Sequence, residues 1–185
     1  MARPVDSDEG LLQEALRGDE AAFDALYGRH RTPLFRFAWR LSGSVATAED
    51  VVQECFLALL NGASFDAGHG TLRTYLFGIA RHLVMKRVKL EGRATESPEA
   101  DDAPAAALDP LDGLMARERA LLVEQAVMAL APLQREALIL FEYEDLKLEE
   151  IAIITGVDVG TVKSRLHRAR QALRRRLAPC ERSCS

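Results

Sequence analysis

The sequence predicts an all-α chain: two small helical domains joined by a flexible acidic linker, with a helix-turn-helix at the C-terminal end. Three observations predict it. Apolar residues recur at helical spacing, and the few β-branched clusters, Val51-Val52 and Ile151 to Ile154, sit inside that spacing. Residues 91–112 hold seven acids, one Arg and three prolines, a composition with too little apolar surface to build a core. Residues 148–177 read as a short helix, a tight turn and a long helix whose segment 161–176 carries seven Lys and Arg and no acid. The expected divisions are a first domain at 8–90, a linker at 91–112, a second domain at 113–178 and a Cys-containing tail at 179–185.

In order, Leu12, Ala15 and Leu16 and then Ala22, Phe23, Leu26 and Tyr27 give two helices interrupted at Gly18-Asp19. His30 is expected at the surface or at a helix end. Pro33 suits a first helical turn, and Leu34, Phe37, Ala38 and Leu41 continue the spacing up to Ser42-Gly43-Ser44. Thr47 with Asp50 has the form of a capping box opening a helix that buries Val51, Val52, Cys55, Phe56, Leu59 and Leu60. A loop at 61–70, rich in Gly and small residues, carries Phe65. The helix at 71–89 has a core stripe of Leu72, Leu76, Ile79, Ala80 and Leu83. Its Arg73, Arg81, His82, Lys86, Arg87 and Lys89 are interleaved with Tyr75 and Phe77. Bases mixed with rings suit unpaired nucleic acid; equally, the rings pack and the cations are solvated. Helices at 114–130 and 133–142 follow, the first broken at Ala131-Pro132.

In the terminal motif, Gly156 sits at the turn, where positive φ is tolerated, and Asp158 is the expected N-cap. Val162, Leu166, Ala169, Leu173 and Leu177 form one stripe. Thr161, Lys163, Ser164, Arg165, His167 and Arg168 lie near the helix N-terminus, where side chains reach base edges in a major groove. Arg174, Arg175 and Arg176 lie too far along for bases and suit phosphate. The helix is expected to stop at Pro179.

Composition narrows the class. The chain has 185 residues, 48% apolar, and a net charge of −4 that argues against indiscriminate coating of nucleic acid. No run approaches the ~18 apolar residues of a membrane span, and the polar N-terminus is no secretory signal, so a reducing cytoplasm is expected. Cys55, Cys180 and Cys184 form no disulfide framework, and Cys55 belongs to a core. There is no glycine-rich phosphate loop, no convincing Ser/His/Asp or Cys/His set and no complete metal-ligand cluster. An enzyme is therefore not expected, nor a resident cofactor. Cys180 and Cys184 stand one helical turn apart; they are either an inert tail or part of a metal or redox sensor, since two thiolates alone rarely complete a zinc site.

DVVQECFLALL, LRTYLFGIARHLVMKRVK and LEEIAIITGVDVGTVKSRLHRARQALRRRL, in that order across an acidic linker, resemble a bacterial RNA polymerase sigma factor of the extracytoplasmic-function group. The resemblance covers residues 11–177 and implies roles. Asp50, Val51, Gln53 and Glu54 would dock on the clamp coiled coil of the polymerase β′ subunit. Phe65, Arg73, Tyr75, Arg81, His82 and Lys86 would read and melt the −10 element, the linker would thread the polymerase, and residues 133–145 would lie near the β flap. Thr161, Lys163, Ser164, Arg165, His167 and Arg168 would read the −35 duplex. The family usually has Trp at the position of Tyr75, and Asn and Asp at those of His82 and Lys86. The resemblance also implies promoter DNA as partner, an anti-sigma factor, and an envelope, metal or stress response under anti-sigma control or direct sensing by the Cys tail. The competing expectation, a stand-alone helix-turn-helix regulator, predicts a receiver domain that this chain lacks and leaves DVVQE unexplained.

Overall fold

The computed structural model describes residues 7–61, 65–91 and 113–181. Among them every regular element is helical, in the order α1 (Asp8–Leu16), α2 (Glu20–Ser42), α3 (Val45–Leu60), α4 (Leu72–Glu91), α5 (Gly113–Met128), α6 (Pro132–Leu138), α7 (Leu148–Thr155) and α8 (Val159–Glu181). A 3₁₀ turn at Ala67–His69 precedes α4, and a π-helical turn at Ile139–Tyr143 extends α6. None of these helices is long and apolar enough to cross a membrane.

The first half packs α1 to α4. Ser7 accepts from the N–H of Gly10 at 3.0 Å and starts α1; Asp19 accepts from Ala22 at 3.1 Å and starts α2. Helix α2 buries Ala22, Leu26, Leu34, Phe37 and Leu41 on one stripe. Pro33 lies inside α2 rather than opening it. One missing N–H in 23 residues is outweighed by burial of the stripe on both sides of it. His30 is 6% exposed, not a surface residue, because its Nε2 lies 2.8 Å from Asp8 Oδ2. Burial pushes the His30 imidazole below its usual pKa, against the pull of Asp8. Ser44, not Thr47, caps α3: its hydroxyl accepts from the Thr47 N–H at 3.2 Å, and Thr47 itself is buried one turn inside.

Helix α4 completes this half. Thr71 accepts from Thr74 N–H at 3.1 Å, and Leu72, Leu76, Ala80 and Val84 go inward. Phe77, read as one of two rings facing nucleic acid or packing, is 1% exposed and meets Phe37 edge-on at 5.3 Å. Cys55 is fully buried as expected, and burial pushes its thiol up to about 12.

In the second half Pro132 occupies the first turn of α6. The Arg135 guanidinium donates to the carbonyls of Met128 at 2.8 Å and Leu41 at 3.0 Å, joining the ends of α5 and α2. After the π turn, Glu150 accepts from the Lys147 N–H at 2.9 Å and opens α7. Gly156 ends α7 with φ +67°. Asp158 caps α8, accepting from Thr161 N–H at 2.8 Å. A Cβ on Gly160 would stand 2.9 Å from the capping oxygen, so a larger residue there would displace the Asp158 carboxylate. Val162, Leu166 and Ala169 are buried, with Leu173 half-buried behind them. Helix α8 runs past Pro179 to Glu181 instead of stopping before it. The buried apolar residues of the two halves form one cluster.

Candidate nucleic-acid interface

The second half presents the early turns of α8. Lys163, Ser164, His167 and Arg168 are exposed, and Thr161 is half-exposed. The Thr161 hydroxyl donates to Asp158 Oδ2 at 2.6 Å. That bond, with the Thr161 N–H, holds the Asp158 carboxyl below the usual range. Ser164 donates back to the Gly160 carbonyl at 3.0 Å, and His167 lies 3.0 Å from the Gln171 amide nitrogen. Arg165 is separated from the others: its side chain is 16% exposed and its Nη1 lies 3.7 Å from Glu136 Oε2. Arg170, one turn on, is held by Glu142 at 2.7 Å and stands over the Phe141 ring. Lys163 and Arg168 therefore remain as the exposed cations among the candidates, with His167 exposed beside them but bonded to Gln171.

The first half presents the loop before α4 together with α4 itself. Asp66 accepts from the Gly68 N–H and pairs with His69 Nδ1, both at 2.8 Å, which holds its carboxyl below the usual range. This Asx-type turn sets Phe65 beside Tyr75, ring centroids 5.6 Å apart and planes at 56°. The two rings open onto a cavity of about 500 Å³. Tyr75, Ile79 and Leu83 form one wall and Ile153 and Ile154 of α7 the other. His82 lines the same cavity from an exposed position, and Lys86 is exposed one turn further along. Arg73 and Arg81 point toward the second half. Arg73 donates to the Glu144 carbonyl at 2.7 Å and its carboxylate at 3.3 Å. Arg81 donates from Nε to Glu136 Oε1.

On α3, Asp50, Gln53 and Glu54 are exposed, whereas Val51 has no exposure and belongs to the core beneath them. Glu54 pairs with Arg87 of α4. Two leucines share this face: Leu57, 56% exposed, which sequence reasoning missed, and Leu60, which was expected in the core but is 39% exposed because it lies at the end of α3, one turn on from Leu57. The signal for Leu57 was available, since it falls off the apolar stripe at i+4 from Gln53. Glu136 and Glu144 were also missed. Both are acids on an amphipathic segment, and nothing local predicts that Glu136 has 0% exposure. Burial pushes Glu144 up to about 7 despite Arg73 beside it. Among the described residues no group of three or more His, Cys, Asp or Glu is placed to hold a metal ion. The side chain of Cys180, all of Cys184 and linker residues 92–112 lie outside the described residues.

Residues 26–94 match the family model for Sigma-70 region 2, and residues 120–173 match that for Sigma-70, region 4. The chain is 33% identical over 181 residues to the ECF RNA polymerase sigma factor SigE of Mycolicibacterium smegmatis, covering 95% of this chain and 70% of that protein. It is 30% identical over 177 residues to the ECF RNA polymerase sigma factor SigW of Bacillus subtilis, covering 90% and 94%. Among solved structures, the sigma factor RpoE in complex with the anti-sigma factor NepR, from Bartonella quintana, is similar with a TM-score of 0.66 and 30% identity. The match covers 84% of this chain and 96% of that one. CnrH in complex with the cytosolic domain of CnrY shares the fold with a TM-score of 0.70 at 24% identity, over 94% and 99%.

Proposed function

The chain belongs to the extracytoplasmic-function RNA polymerase sigma factors, and from that membership we propose that it binds core polymerase and directs promoter-specific initiation in the cytoplasm. The observation that carries the DNA-reading part is the first face of α8. Lys163, Ser164, His167 and Arg168 are presented to solvent from a capped helix start whose opposite face is locked by Val162, Leu166 and Ala169. Such a helix reads a −35 duplex. Its phosphate contacts supply salt-sensitive affinity, and its early side chains discriminate between base edges.

The domain at 8–90 takes the −10 element. Melting needs no catalytic group, because unstacked bases are captured on rings, each stack being worth about 1–3 kcal/mol. Phe65 and Tyr75 supply those rings; Arg73, Arg81, His82 and Lys86 supply donors and cations around them. Asp50, Gln53 and Glu54, with Leu57 and Leu60 beside them, form the face for the β′ clamp coiled coil, and Val51 holds that face from inside. The second domain at 113–178 meets the β flap near residues 133–145. The acidic linker at 91–112 follows the basic path of nascent RNA. An anti-sigma factor covers the polymerase-binding faces until an envelope, metal or other stress releases them. In the tail at 179–185, Cys180 and Cys184 are either inert or part of a metal- or redox-responsive element. Replacing both by Ser and titrating promoter activity with metal tests that role; an unchanged titration removes it.

Run-off transcription with purified core polymerase, with start sites mapped genome-wide, tests the whole reading. Transcripts that start at defined sites only when both core and this chain are present are expected. Binding to promoter duplex with no dependence on polymerase would instead favour a stand-alone regulator. Tyr75→Ala is expected to remove permanganate reactivity of −10 thymines in the bound holoenzyme; retained reactivity dismisses strand capture by this ring.

A further inference from the structure

Where the two halves meet, the first supplies cations and the second supplies carboxylates. Arg73 of α4 lies on Glu144, Arg81 of α4 on Glu136, and Arg40 of α2 within 3.7 Å of Glu124 while standing over the Tyr143 ring. Thr74, between the arginines, donates to Glu150 at 3.1 Å, the same carboxylate that caps α7. Ile153 and Ile154 close the cavity beside Phe65 and Tyr75. Resting on the reading of α4 as the strand-facing helix, we infer that the second half closes over the first as a stand-in for nucleic acid. Its carboxylates hold Arg73 and Arg81 until the halves part.

The acids are ones that require partners. Glu136 is fully buried and Glu144 nearly so, and a desolvated carboxylate stripped of its cation is strongly penalised. Glu136 resolves this by having two cations in reach. Oε1 takes Arg81 of the −10 helix, and Oε2 faces Arg165 of the −35 helix at 3.7 Å, beyond hydrogen-bond length, with both of those atoms otherwise unpartnered. When Arg81 leaves, Arg165 can close the remaining distance and keep Glu136 paired. Parting of the halves and seating of Arg165 under the recognition helix are thus one exchange on a single carboxylate, and Arg165 is a positioning residue for α8.

The test uses the full free chain. Small-angle X-ray scattering of the wild type should show a compact particle, and Glu144→Arg an extended one. Arg73→Glu combined with Glu144→Arg should be compact again, with circular dichroism confirming helix content throughout. The wild type already extended, or Glu144→Arg as compact as the wild type, overturns closure. A second readout is affinity for a fluorescein-labelled single-stranded −10 oligonucleotide. If the open form is about one-tenth populated, Glu144→Gln should tighten binding about tenfold; unchanged affinity overturns the stand-in role. Run-off transcription by the wild type reads the sigma role separately. Productive initiation by a chain that is extended when free overturns only the closure. A compact chain that starts no transcripts overturns the promoter-reading role and, with it, the stand-in role.

Discussion

Two rings on α4 sit two residues apart, and replacing each should have opposite consequences. Phe77 is fully buried and edge-on to Phe37; Tyr75 is half-buried, touches Phe65 and lines an open cavity. Truncating a buried Phe to Ala removes its transfer free energy and leaves a cavity, together costing about 3–5 kcal/mol. The lost edge-to-face pair accounts for about 0.5–1.5 kcal/mol of this. At about 2–4 °C per kcal/mol for a chain of this size, Phe77→Ala should lower Tm by roughly 6–20 °C. Phe77→Leu, which refills most of the space, should fall between it and the wild type. Tyr75→Ala should cost only about 1 kcal/mol, in the range of a partly exposed ring contact. Thermal unfolding followed at 222 nm measures both, and permanganate footprinting of the bound promoter measures the second consequence. Phe77→Ala should reduce footprinting only in proportion to the fraction unfolded; Tyr75→Ala should abolish it in a fully folded protein. A Phe77→Ala variant with wild-type Tm that has lost strand capture would refute the assignment of Phe77 to the core.

Other expectations follow from particular contacts. Glu144 titrates near 7 in the folded chain, above its unfolded value, so its contribution to stability is present below about pH 4.5 and is lost as pH rises toward 7. The denaturant midpoint of Glu144→Gln should therefore fall less than that of the wild type across that window. His30, shifted downward, acts in the opposite sense below pH 6.5 in both proteins and cancels in the comparison. Asp8→Asn weakens the links to Arg29 and His30, and should speed hydrogen exchange in α1 while leaving α3 and α4 protected. Lys163→Ala should weaken −35 duplex binding and reduce the salt slope by about one. Arg165→Ala should lower stability by about 1–2 kcal/mol, because Glu136 keeps only Arg81; unchanged stability would mean that the 3.7 Å approach carries no energy.

What the sequence made legible was local. The α8 stripe, the Asp158 cap, the Gly156 turn and the buried Cys55 each follow from spacing or from one residue's backbone preference. What it concealed was set by distance along the chain. His30 looked like a surface residue because Asp8, 22 positions away, is its partner. Thr47 and Ser44 are both competent caps, and only the burial of Thr47 against the core decides between them. Val51 shares a motif with Asp50 and Gln53, yet the 100° step of a helix sends it inward while they face out. Arg165 looked like a base reader from its place on α8, and the buried acid it faces lies 29 positions earlier, on α6.

The π turn at Ile139–Tyr143 has a consequence for how α8 is aimed. The Glu144 N–H reaches back five residues to the Ile139 carbonyl at 3.2 Å, which is the signature of an α-helix carrying one surplus residue. Deleting a single residue there would restore an ordinary helical ladder and cost little locally. The turn absorbs that residue, so α7 and α8 would keep nearly the same azimuth, whereas deleting a residue from α6 itself would swing them by about 100° around its axis, carrying Lys163 and Arg168 with them. The azimuth of α8 is thus set by the count of residues in α6 as much as by their side chains, with the π turn as the place where that count can change at little cost.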